Sequence, residues 1–155
     1  MDNSTTARRL REQIAKFSGL VSGGLGKVQA RFVCEMLYGI QACESVMLSA
    51  VARTLQEPIR VKKTHERLVR QLERRGLGGQ LQSNLLKQAA SRVGQDTLLV
   101  LDVSELTKRY ARKMQYLCQV RDGTDGEIKP GYWTMNVVAT DLEGEQLVPL
   151  YQKLY

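Results

Sequence analysis

One histidine, His65, one tryptophan and two phenylalanines are all that the 155 residues hold of these types, and each scarcity excludes something. A lone imidazole builds neither a histidine-based catalytic triad nor a multi-histidine metal site. Three cysteines, Cys34, Cys43 and Cys118, are an odd number with no C-x-x-C pair. Neither a disulfide framework nor a zinc knuckle is readable, and a reducing compartment is expected. The longest clean apolar run is Leu98-Leu99-Val100-Leu101, far short of the roughly 20 residues that a bilayer-spanning helix needs. The first ten residues carry charge where an export signal would carry its apolar core. These absences together lead to the expectation of a soluble cytoplasmic protein with no membrane partner.

Positive charge, by contrast, is plentiful and unevenly placed. The net charge is +7, and residues 1–93 hold 16 Lys and Arg against 7 Asp and Glu, whereas residues 94–155 hold 7 against 9. A basic half joined to a mildly acidic half implies that the first meets a polyanion and the second does something else.

The pattern of apolar residues changes at the same place. Up to Val93 it has helical spacing: Leu10, Ile14 and Phe17 on a first helix; Phe32, Val33, Met36, Leu37 and Ile40 on a second; residues 45–55 on a third, stopped at Glu57-Pro58 because proline disfavours helix in the residue before it. Residues 61–75 form a fourth helix ended by Gly76, and residues 80–92 a fifth closed by Gly94. After Gly94 the period falls to two. Residues 97–103 read as a central strand covered on both faces, and residues 131–140 and 145–151 as two more strands around a turn at 141–144. Residues 105–120 fit either a short helix or an irregular crossover. The fold class is therefore α+β, with a helical domain over residues 1–93 and an incomplete α/β domain of three strands over 94–155.

Two features carry chemistry. On the fourth helix, Lys63, Arg67, Arg70 and Arg74 fall within about 60° of one another at 100° per residue, opposite Val61, His65, Leu68 and Leu72. With Arg53, Arg60, Lys62 and Arg75 nearby, and a short helix before it, this ridge reads as the second member of a helix-turn-helix-like pair facing DNA. The same pattern also describes a solvated amphipathic helix. The second feature is Asp102, set in an aliphatic strand where an ionised carboxylate is costly unless something balances it. Lys108 or Arg109 would do so as an ion pair; a divalent cation would do so as a ligand. Gly23-Gly24-Leu25-Gly26-Lys27 fails as a phosphate loop, because Val21 and Val28 stand where glycine and a hydroxyl residue are needed. Asp122, Asp125, Asp141, Glu143 and Glu145 sit in turns, where acids serve local hydrogen bonds.

From residue 99 onward the chain resembles a known family. Leu99-Val100-Leu101-Asp102-Val103-Ser104-Glu105-Leu106-Thr107-Lys108, then Tyr110-Ala111-Arg112-Lys113-Met114, Val120-Arg121-Asp122-Gly123 and Gly131-Tyr132, is similar to the start of the catalytic domain in DDE transposases of bacterial insertion sequences. Residues 45–55, followed by Arg67-Leu68, resemble their helical DNA-binding region. The resemblance implies an RNase H-like domain that cuts and joins DNA with two metal ions, Mg²⁺ or Mn²⁺, held by two aspartates and a glutamate. Asp102 matches the first of these, as catalytic residue and metal ligand; the second aspartate and the glutamate are not reached. The expectation is thus an N-terminal portion of a transposase, nucleoid-associated in a bacterial cytoplasm, without strand cleavage of its own. It would bind double-stranded transposon-end DNA through Arg53, Lys62, Lys63, Arg67, Arg70, Arg74 and Arg75, with a homodimer as a possible assembly. A stand-alone DNA-binding regulator is the alternative, and a basic protein with no nucleic-acid partner is a third.

Overall fold

A computed structural model describes residues 3–155. Five helices, α1 (Asn3–Val21), α2 (Lys27–Cys43), α3 (Leu48–Thr54), α4 (Val61–Leu72) and α5 (Leu77–Ala89), are followed by a 3₁₀ turn (Ala90–Arg92) and four strands, β1 (Leu98–Thr107), β2 (Cys118–Arg121), β3 (Ile128–Thr140) and β4 (Leu147–Leu154). The fold is α+β. The chain divides into a helical unit reaching Asn84 and a sheet unit from Leu85 to Tyr155. That division lies inside α5, earlier than the sequence-derived boundary at residue 93. The reason is Ala89, which packs with Ala139, Val148 and Leu150 and so belongs to the sheet's core.

In the helical unit the buried stripe of α1 is Ile14, Ser18 and Val21, spaced to share one face. Phe17, expected on that face, is largely exposed along with Leu10. The helix runs through Val21, and the glycine-rich segment after it is a turn with Gly24 at φ +78. Its carbonyls are what matter: Asn84 Nδ2 donates to Val21 O and Gly23 O, both at 2.8 Å, tying the end of α1 to α5. Packing of α2 on α3 relies on Gly39, where a Cβ would lie 2.5 Å from Val51 Cγ1. Val51 and Leu68 are fully buried in this core. Gly39→Ala gains about 1 kcal/mol of helix propensity but overpacks this contact by about 1–3 kcal/mol, so a net loss of about 1 kcal/mol is expected. Urea unfolding with an unchanged slope would measure it.

In the sheet unit all pairings are antiparallel. β3 is central, with β1 along one edge and both β2 and β4 along the other. Three strands are expected here, with residues 105–120 as a short helix or an irregular crossover; those residues are the end of β1, a loop and most of the short strand β2. β1 was also expected to be covered on both faces. It pairs with β3 alone, and Leu98, Leu99, Val100, Leu101 and Val103 are 48–63% exposed.

The turn between β2 and β3 is organised by a lysine. Lys129, buried, donates from Nζ to Asp122 Oδ2 at 2.7 Å and also to Asp125. Those hydrogen bonds hold both carboxyls below the usual aspartate range and raise the lysine. A carboxyl with a depressed folded pKa contributes stability above its unfolded pKa, and that contribution disappears as pH falls through the folded value. NMR titration is therefore expected to show Asp122 and Asp125 protonating below the ordinary value near about 3.9. In Lys129→Met both should return toward it.

Candidate functional site

The seven cations expected to meet DNA do not form one surface. At 100° per residue, the buried residues of α4, Thr64, Leu68 and Gln71, centre roughly 60° away from the face defined by Val61, His65, Leu68 and Leu72. The rotation leaves Val61 and Leu72 exposed, His65 half-buried and Arg67 turned inward. Arg67 is consequently a structural residue. Its Nη1 binds Glu35 Oε2 at 2.5 Å and its Nη2 binds Glu57 Oε2 at 2.8 Å. Arg31 closes the ring, meeting Glu35 Oε1 and Glu57 Oε1 at 2.6 Å each. Thr64 Oγ1 adds a hydrogen bond to Glu57 Oε2 at 2.8 Å.

Two guanidinium planes thus span two carboxylates, and α2, α4 and the α3–α4 connection are locked together. The hydrogen bond from Arg67 is the main reason that Glu57 is held below the usual glutamate range; Arg67 is raised, chiefly by Glu35. Sequence reasoning missed this because its signal is long-range: Glu35 and Arg67 are 32 residues apart.

The other cations remain on the outside. Arg53, on α3, and Arg60, Lys62, Arg70, Arg74 and Arg75, on or beside α4, are all exposed and form no ion pair among the described residues. Arg70 spends only its Nε, on Glu66 O at 3.3 Å. Lys63 is exposed but pairs with Glu66 at 3.3 Å. Arg74 and Arg75 follow the last helical residue, Leu72, so they do not continue the row on α4. Between Thr54 and Val61 runs a six-residue connection, Leu55 to Arg60, longer than in a regular helix-turn-helix.

Asp102 lies in the sheet unit, opposite Asn136 on β3, which is in turn opposite Gln152 on β4. A polar row therefore crosses one face. The carboxylate is exposed and accepts a hydrogen bond from the Ser104 hydroxyl. Neither Lys108 nor Arg109 pairs with it, and in the open it has no desolvation cost to balance; the ion-pair reading and the premise of burial both give way. Among the described residues no group of three or more His, Cys, Asp or Glu is placed to hold a metal ion. No described helix is long and apolar enough to cross a membrane.

Comparison with protein-family models, with curated proteins and with solved structures finds no match to this chain.

Proposed function

We propose that the helical unit binds duplex DNA, with transposon ends as the target, and that the sheet unit is the beginning of an RNase H-like DDE transposase domain. The observation that carries the DNA-binding part is the sorting of the arginines. Arg31 and Arg67 are consumed by Glu35 and Glu57, while Arg53, Arg60, Lys62, Arg70, Arg74 and Arg75 are exposed around one short helix pair with no ion pair among the described residues. Cations without local partners are the groups that phosphates engage.

The transposase part rests on the motif around Asp102 together with its location on β1, open to solvent. The exposed aliphatics of β1 favour a sheet that belongs to a larger fold, since edge strands of this length and apolarity are normally covered. Among the described residues Asp102 has no companions placed to complete a two-cation site, so the reading offered for this chain is binding. Binding without cleavage also fits a regulator that occupies DNA ends.

The test uses the whole chain with labelled duplex and with supercoiled plasmid. Duplex retention at low salt in EDTA is expected, as is an intact plasmid in Mg²⁺ or Mn²⁺, with Asp102→Asn behaving alike. No retention would overturn the binding reading; nicking lost in Asp102→Asn would overturn the reading of binding without cleavage.

A further inference from the structure

The acidic balance of residues 94–155 conceals a cluster of cations in the sequence. Of the seven Lys and Arg in residues 94–155, four stand in the β1–β2 loop: Lys108, Arg109, Arg112 and Lys113. No acid occurs between Thr107 and Arg121. None of the four cations forms an ion pair among the described residues, and the acids of the adjacent turn, Asp122 and Asp125, are taken up by Lys129. Tyr110 stands between Arg109 and Arg112, Tyr116 three residues after Lys113, and both are almost wholly exposed, at 90% and 85%. Such exposure of large aromatic rings on a charged loop serves no packing purpose.

The loop is also anchored. Lys108 N donates to Pro130 O at 2.7 Å, Ala111 N to Lys108 O at 2.8 Å, and the Tyr132 hydroxyl to Gln115 O at 2.8 Å. Tyr116, at φ +57, stands at the rim of an open apolar recess of about 730 Å³ that Leu106, Met114, Tyr132 and Leu154 also line.

We infer that the loop spanning residues 108–117 is a contact site for single-stranded nucleic acid, with phosphates on Arg109, Arg112 and Lys113 and unpaired bases stacked on Tyr110 and Tyr116. Duplex DNA hides its base faces, so a surface offering free rings beside cations suits an unpaired strand. This goes beyond the duplex-binding reading of the helical unit and does not depend on it.

The test measures anisotropy of labelled dT20, and of a 20-mer with the same phosphates but abasic sugars, against the full chain. Wild-type protein should bind dT20 and prefer it to the abasic strand by about fivefold to a hundredfold for each of the two stacked bases. Tyr110→Ala with Tyr116→Ala should abolish that preference, whereas the double Phe variant, which keeps both rings, should retain it. Arg109, Arg112 and Lys113 to Ala should flatten the salt dependence by about 0.7 per lost phosphate contact. These substitutions lie on exposed side chains, so folding is not at issue. Equal binding of dT20 and the abasic strand, or a base preference that survives the double Ala variant, would overturn the inference. So would duplex retention with no dT20 binding, which leaves the duplex reading standing; dT20 binding without duplex retention supports the loop site and overturns that reading instead.

Discussion

Arg67→Ala is expected to destabilise the helical unit by about 2–3 kcal/mol. The substitution strands Glu35 and Glu57, whose side chains are only 14% and 15% exposed, with Arg31 as their remaining cation. Removing one partner of a fully buried pair costs about 3–5 kcal/mol, and the residual contact of this network with water reduces that figure. For a unit of this size the loss corresponds to a fall in Tm of roughly 10–20 °C. Arg67→Lys, which keeps the charge but not the two-pronged geometry, should fall between the wild type and Ala. Because Glu57 is held below its ordinary range, its contribution is complete at neutral pH and is lost as pH falls through the depressed folded value. Wild-type stability should therefore decline with acid more steeply than that of Arg67→Ala. Circular dichroism melts between pH 3 and 7 give both quantities. The same variant, while folded, should keep the wild-type salt dependence for duplex DNA, since Arg67 already has protein carboxylates as partners.

The second large effect runs the other way, on binding and not on folding. Replacing Lys62, Arg70, Arg74 and Arg75 with Ala should leave thermal stability nearly unchanged, because all four are exposed and none has an ion-pair partner among the described residues. Affinity for duplex DNA should nonetheless fall by about 10³-fold in 0.1 M salt if each cation neutralises one phosphate, each contact contributing about 0.9 to the slope of log affinity on log salt. The slope itself should lose about 3.6. Restoring Lys62 and Arg70 alone should recover about half of the logarithmic loss. Unaltered affinity in the fourfold variant would remove this end of α4 from any DNA surface.

The contrast between Arg67 and its neighbours shows what sequence pattern conveys and what it does not. The five helices and the change to strands after Gly94 follow from apolar period and from Gly and Pro positions, which are local properties of the chain. The facing of α4 does not. Val61, His65, Leu68 and Leu72 looked like the packing side because they are the less polar residues, yet the helix buries Thr64 and Gln71 and spends Arg67 on acids from two other segments. Arg67 turns inward because acids 10 and 32 residues away satisfy it, and the buried Thr64 hydroxyl is met by Glu57; no local period encodes that.

The sheet tells a similar story. An unbroken aliphatic run reads as a strand buried on both faces, but β1 is an edge strand and its leucines are open. β2 escaped notice because four residues, Cys118 to Arg121, are too few to display a period. Asp102 stands out in the sequence as an acid in an aliphatic run, which suggests burial; its exposed setting beside Ser104 follows only from the structure. The loop at 108–117 was hidden by averaging: a net charge for residues 94–155 cancels four clustered cations against acids that lie elsewhere.

The salt dependence of duplex binding by the whole chain tests the central claim most directly. Retention of a labelled duplex in EDTA, titrated from 50 to 200 mM NaCl, should give a slope of about −4 to −5, as expected when at least four of the six cations around α3 and α4 that have no ion-pair partner among the described residues replace counterions on phosphates. A slope near zero, or no retention at the lowest salt, would contradict it.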